Sequence, residues 1–113
     1  MVRAFAVSSI LFIVACGQVI TLGGECTTRD QCVSGESCVT AAPAGFCSKA
    51  CAVEGSLKDC PGGTVCTYFG ASVQVCSNYC TTNSECRINY QCAEIKGTES
   101  AGKKSCQPDN VKR

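Results

Sequence analysis

The chain contains no histidine and no tryptophan. Without histidine, a Ser-His or Cys-His nucleophile is excluded, and the commonest neutral zinc ligand is missing. Large aliphatic residues are scarce as well. Between Cys26 and Arg113, twelve of 88 residues are Val, Ile, Leu or Phe. That is below the roughly 20% a hydrophobic core ordinarily draws on. Left uncross-linked, such a chain cannot offset its conformational entropy. Charge of one sign is lacking too: beyond Cys16, nine Lys/Arg face nine Asp/Glu. No basic patch with interleaved aromatics is present, so nucleic acid is not an expected partner. The apolar run from Ala4 to Ala15 is too short to cross a bilayer, and no convincing amphipathic helix follows it.

What the chain has instead is thirteen cysteines. Cys16 stands apart in the run Ile13-Val14-Ala15-Cys16-Gly17, at the end of the apolar segment. A branched apolar residue at −3, with small residues at −1 and +1, is the form of a bacterial lipobox. Upstream, Arg3 is the only charge in the first 24 residues. Residues 1–15 therefore read as a lipoprotein signal peptide, Cys16 as the lipidation site, and residues 16–25 as a tether. From Gly17 to Glu25 this tether would reach at most about 32 Å. An ordinary signal peptide cleaved near Gly24 would leave the same twelve cysteines in the folded part, so parity does not separate the two readings. The lipobox match favours the lipoprotein.

The remaining twelve cysteines fall into three sets of four. The first is Cys26-x5-Cys32-x5-Cys38-x8-Cys47, the second Cys51-x8-Cys60-x5-Cys66-x9-Cys76, and the third Cys80-x5-Cys86-x5-Cys92-x13-Cys106. Residues 26–47, 51–76 and 80–106 are thus three tandem cysteine-rich repeats. Ser48-Lys49-Ala50 and Ser77-Asn78-Tyr79 connect them, and 107–113 forms a tail. Three residues before the third cysteine of each repeat stand Gly35, Gly63 and Asn89. These are residue types that tolerate positive φ, which predicts a shared tight turn.

The second half of each repeat predicts a hairpin: Ser37–Thr40 with Phe46–Ser48, Val65–Phe69 with Val73–Ser77, and Tyr90–Ile95 with Lys103–Gln107. The expected fold is small and disulfide-rich, mostly β-hairpins and loops, with three tandem four-cysteine repeats after a signal peptide. Because the core is so poor, the cross-links must supply its stability, and they require an oxidising compartment.

The pattern Cys26-Thr-Thr-Arg-Asp-Gln-Cys32-Val-Ser-Gly35-Glu-Ser-Cys38 resembles the first half of the Dickkopf N-terminal cysteine-rich domain, which is related to the colipase-like fold. It also resembles the tandem cysteine-rich repeats of predicted lipoproteins from myxobacteria and their relatives. Two departures are the x8 interval of repeat two and Asn89 in the glycine position of repeat three. Disulfide framework and extracytoplasmic location are what the resemblance implies; a signalling role is not carried over. Spacing alone does not fix connectivity. The crossed pairing of colipase-like modules would give Cys26–Cys38, Cys32–Cys47, Cys51–Cys66, Cys60–Cys76, Cys80–Cys92 and Cys86–Cys106. It would also tie each loop cysteine to one hairpin strand, closing loops of about 13 residues at ~3 kcal/mol per bridge. By the resemblance to bacterial lipoproteins, in which an aspartate at the position of Gly17 commonly gives inner-membrane retention, the outer membrane is the expected location.

Other chemistries fit less well. Cys47-x3-Cys51 and Cys76-x3-Cys80 have zinc-like spacing, but twelve regular cysteines in an exported chain are expected in disulfides. Thr28, Asp30, Ser84 and Glu85 lack the acidic alternation and bidentate glutamate of a calcium loop. Asp30, Glu36, Asp59, Glu85 and Glu94 are scattered single carboxylates. No enzyme activity, cofactor or metal is expected. Tyr68 and Phe69 are adjacent, so on a strand they point to opposite faces. A 25-residue unit can hardly bury both, and one of them is expected to be a contact residue. The reading is a lipid-anchored, non-catalytic binding or structural protein at the cell surface, with the membrane and an extracellular or periplasmic protein as partners. The alternative is a secreted protease inhibitor or toxin-like ligand, for which Ala42-Pro43-Ala44-Gly45 is the candidate reactive loop.

Overall fold

The computed structural model describes residues 20–70, 73–97 and 102–111. The expected signal peptide over residues 1–15 and the expected lipidation site Cys16 lie outside the described residues. Each repeat contributes one hairpin, as its β-branched and aromatic residues predict. The strands are β1 (Ser37–Cys38) with β2 (Cys47–Ser48), β3 (Thr64–Gly70) with β4 (Val73–Cys80), and β5 (Tyr90–Glu94) with β6 (Lys104–Pro108). All three pairs are antiparallel. The third and fourth cysteines of each repeat face one another across the hairpin: Cys38↔Cys47, Cys66↔Cys76 and Cys92↔Cys106. The fold is therefore a small disulfide-rich β structure built on one repeated register.

The shared turn has a backbone cause. Glu36, Thr64 and Tyr90 each donate their N–H to the carbonyl three residues back, at Val33, Pro61 and Arg87 (2.9, 3.1 and 3.0 Å). The third residue of each turn has positive φ: Gly35 at 91°, Gly63 at 85° and Asn89 at 73°. Positive φ at that position alone marks a type II turn, which glycine and asparagine accept at least cost. The loop ahead of it also repeats. Short 3-10 turns run over Arg29–Gln31 and Asn83–Glu85. In the longer loop of repeat two, Cys60 N–H closes the same kind of turn onto Leu57 O.

The repeats are not independent beads. The two segments that read as connectors are paired backbone. Ser77, Asn78 and Tyr79 lie inside β4, and Tyr79 and Cys80 pair with Ser105 and Lys104 of β6, giving the sheet order β3-β4-β6-β5. Lys49–Cys51 pairs with the same edge of β4 through Cys76 N→Lys49 O and Cys51 N→Gln74 O, both 3.1 Å. Their sequences are polar, so hydropathy gave no sign of this; backbone hydrogen bonds carry the pairing.

One core spans all three repeats. Phe46 comes from the first, Phe69 and Val75 from the second and Tyr90 from the third, with Ala42 beside them. The Phe46 ring lies 4.8 Å from Phe69, edge-on, and 5.5 Å from Tyr90, within the usual range for aromatic pairs. No single repeat holds enough apolar surface to hide such rings, but three packed together do.

Polar groups follow the same logic. The serine after the fourth cysteine of one repeat donates to the carbonyl of the fourth cysteine of the next. Ser48 Oγ bonds Cys76 O at 2.6 Å and Ser77 Oγ bonds Cys106 O at 2.7 Å, with both serines buried. In the third repeat Gln107 takes that place, and its Nε2 turns back onto Ala93 O and Glu94 O. Thr67 and Ser105 share a buried hydroxyl contact of 2.9 Å between repeats two and three. The extra residues of the second repeat's first loop reach the third, where Gly55 and Gly97 cross. A Cβ on Gly55 would stand 2.4 Å from Lys96 O, and one on Gly97 2.6 Å from Glu54 O, so only glycine fits at either side.

The N-terminal segment is part of this array. Gly23 N–H donates to Cys47 O (2.8 Å), and Cys47 N–H donates to Gly24 O (3.0 Å). Gly23 precedes Cys26 by three residues, as Ser48 precedes Cys51 and Ser77 precedes Cys80. Residues 22–25 thus occupy the place of a preceding repeat's end. The free tether read over 16–25 is fixed from Ile20 onward.

Candidate functional site

All twelve cysteines from Cys26 to Cys106 are in disulfides, and the pairs are the crossed ones: Cys26–Cys38, Cys32–Cys47, Cys51–Cys66, Cys60–Cys76, Cys80–Cys92 and Cys86–Cys106. Their Cα–Cα separations run from 5.4 to 5.9 Å, the ordinary span of an unforced bridge. Each repeat joins its first loop cysteine to the first strand and its second to the second strand. The two bridges lie against each other, so three sulfurs of each repeat gather within 4.8 Å, as with Cys26, Cys32 and Cys47. This crowding is the crossing of two disulfides; bonded sulfurs are not the thiolates that zinc requires.

The most organised polar site joins the first and third repeats. Arg87 follows the second cysteine of repeat three and reaches the loop of the first hairpin. Its Nη2 donates to Pro43 O at 2.9 Å, Gly45 O at 2.6 Å and Tyr90 Oη at 2.8 Å. Tyr90 Oη in turn donates to Pro43 O at 2.9 Å. The guanidinium carbon lies 4.6 Å from the Tyr90 ring centroid and 5.4 Å from that of Phe46, which adds a cation–π attraction. Arg87 Nη1 is buried with no hydrogen-bond partner among the described residues. Burial holds the Tyr90 phenol above the ordinary tyrosine pKa, against the opposing pull of Arg87.

This clamp holds the segment Ala42-Pro43-Ala44-Gly45 by its backbone. Ala42 sits in the aromatic core, and the Pro43 and Gly45 carbonyls accept from Arg87. A reactive loop of an inhibitor presents extended, accessible backbone; this one is pinned by its carbonyls and has left-handed φ at Ala44 (59°) and Gly45 (74°).

Of the two candidate contact residues, Phe69 is buried in the core and Tyr68 is half-buried on the other face of β3. The opposite-face argument holds, but the buried partner serves the shared core. Thr28, Asp30, Ser84 and Glu85 lie in the loops of repeats one and three. There Gln31 Oε1 accepts from Thr27 N (2.6 Å) and Thr28 N (3.1 Å), the reach-back half of a capping box. Glu85 Oε1 accepts from the Thr81 and Thr82 amides in the same way. Those bonds, the Thr81 amide first, hold the Glu85 carboxyl below its ordinary pKa. One oxygen of that carboxylate is thus spent on backbone. Glu36 Oε1 is buried without a hydrogen-bond partner among the described residues, and burial raises its pKa. An open cleft of about 550 Å³ lies along Tyr79, Thr81, Lys103 and Lys104, with Lys103 Nζ 5.0 Å from the Tyr79 ring centroid.

Sequence reasoning missed Arg87, Tyr90, Ser48 and Ser77. The serines carried a signal, since both follow a fourth cysteine. Arg87 carried none: Val33 and Pro61 hold its place in the other repeats. Comparison with known proteins finds no matching family model, no matching characterised protein and no matching solved structure.

Proposed function

We propose that the chain is a lipid-anchored extracytoplasmic protein, held at the outer membrane through Cys16, in which three disulfide repeats form one rigid binding or structural body without catalytic activity. The observation that carries this is how the cysteines divide. Six crossed bridges use twelve of them, and the thirteenth ends the run Ile13-Val14-Ala15-Cys16-Gly17. Disulfides in such number belong to an oxidising compartment, and the lipobox supplies a reason for the odd cysteine. Two or more acyl chains would make the attachment stable, at ~0.8 kcal/mol per buried CH₂. The Arg87 hydrogen bonds to Pro43 O and Gly45 O give the Ala42–Gly45 loop a role in joining repeats, which favours the anchored reading over a secreted inhibitor.

The test is the substitution Cys16→Ser with mass spectrometry of the mature N-terminus. The wild type is expected to begin at an acylated Cys16 and to fractionate with membranes. The variant is expected to accumulate as unprocessed precursor or to appear as soluble protein. A variant processed and located like the wild type would overturn the anchor.

A further inference from the structure

We infer that the exposed turn of the first repeat, Thr27 to Gln31, is the surface that the protein lays against phospholipid headgroups. The inference rests on the anchored reading and adds an orientation to it. Ile20 forms a parallel bridge to Cys32, and its amide N–H donates to Gln31 O at 2.8 Å. Ile20 packs on the cluster of Cys26, Cys32 and Cys47, and Leu22 packs on the aromatic core. The chain is therefore held from Ile20 onward, and the nitrogen through which everything upstream is attached lies on the first 3-10 turn.

Only Gly17, Gln18 and Val19 separate Cys16 from Ile20. Four Cα-to-Cα steps span at most ~14 Å. Acyl chains on Cys16 must enter the bilayer, so the turn can stand no more than about that far from the lipid attachment point. A free tether of the full 16–25 length would have allowed any face to approach; the docked segment allows few.

The chemistry of the turn suits headgroups. Thr27, Thr28, Arg29 and Asp30 are all exposed. Arg29 offers a planar guanidinium matched to phosphate oxygens, and Asp30 balances its charge. The corresponding turn of the third repeat, Thr82-Asn83-Ser84-Glu85, has only the negative charge of Glu85. It provides an internal control with the same backbone and the same capping geometry.

The experiment uses natively lipidated protein, its N-terminal mass read first, in nanodiscs of phosphatidylethanolamine and phosphatidylglycerol doped with a gadolinium-chelating lipid. Paramagnetic broadening of the amides is expected to be several-fold greater at Thr27–Cys32 than at Thr81–Cys86. A long Gly/Ser insertion between Gly17 and Gln18, outside the folded body, should abolish that difference. Equal broadening at the two turns of a protein acylated on Cys16 would overturn this inference and leave the anchor standing. A mature N-terminus without acyl chains would overturn the anchored reading, and this inference with it.

Discussion

The first and third repeats share a cysteine grid, a type II turn and a capped 3-10 turn, yet they play opposite parts. The first presents a loop, Ala42–Gly45; the third grips it. The difference rests on two positions inside the same five-residue interval. After the second cysteine stands Val33 in one and Arg87 in the other, and after the turn residue stands Glu36 in one and Tyr90 in the other. The disulfides fix backbone and leave such positions free to decide how repeats join. Tyr90 fills the shared core and Arg87 bonds the carbonyls of Pro43 and Gly45, whereas Glu36 leaves a buried oxygen without a partner among the described residues.

The largest contrast should come from truncating these pairs. Tyr90→Ala removes a buried ring and is expected to cost about 3–5 kcal/mol. Arg87→Ala should cost roughly 2 kcal/mol, the loss of charged hydrogen bonds at a partly buried site. Their counterparts Glu36→Ala and Val33→Ala are expected to change stability by less than about 1 kcal/mol. Guanidinium unfolding with the disulfides intact measures all four. Equal losses in both repeats would erase the distinction between the gripping unit and the gripped one.

A smaller effect should be common to two junctions. Ser48→Ala and Ser77→Ala each delete one buried hydroxyl bond between consecutive repeats. Each should cost about 1 kcal/mol and leave Cys76 O or Cys106 O short of a partner. Similar values would support a repeated joint; a loss at one junction only would limit the serine device to that junction.

The smallest contrast is with pH. Glu85 in the third repeat and Gln31 in the first accept the same backbone bonds, but only Glu85 titrates. The Thr81 and Thr82 hydrogen bonds hold its folded pKa below the ordinary glutamate range. Its contribution is therefore complete above the ordinary glutamate pKa and fades as pH falls through the lower folded one. Glu36 works in the other direction. Burial raises its pKa, so its charged form opposes folding, and stability is recovered as pH drops through the raised value. Amide exchange at Thr81 and Thr82 should quicken in acid relative to Thr27 and Thr28, once the intrinsic pH dependence is removed. Glu85→Gln should flatten the difference. A difference unchanged by that substitution would place its cause elsewhere.

Much of the local structure was legible because it depends on spacing. Regular cysteine intervals exposed the repeats, and Gly35, Gly63 and Asn89 marked the turns because few residues accept positive φ. The hairpins followed from runs such as Val65–Phe69. What was not legible was how the repeats join. Counting Val, Ile, Leu and Phe over residues 26–113 indicated a poor core and did not show that Phe46, Phe69 and Tyr90, from three different repeats, pack on one another. Ser48-Lys49-Ala50 and Ser77-Asn78-Tyr79 read as polar connectors because strand pairing through backbone groups leaves no hydropathy pattern. The docking of Ile20 and Leu22 was hidden for a different reason: next to a run read as a lipobox, apolar residues read as tether.

The central claim is that three cysteine grids fold as one body around one core. It is tested most directly by following unfolding in guanidinium by NMR at Val39, Cys66 and Cys92, one amide for each repeat, in the wild type and in Phe46→Ala. A single body predicts one midpoint for all three amides, and a common downward shift in the variant, although Phe46 belongs to the first repeat alone. Three separate midpoints, or a shift confined to Val39, would show independent beads and contradict the account.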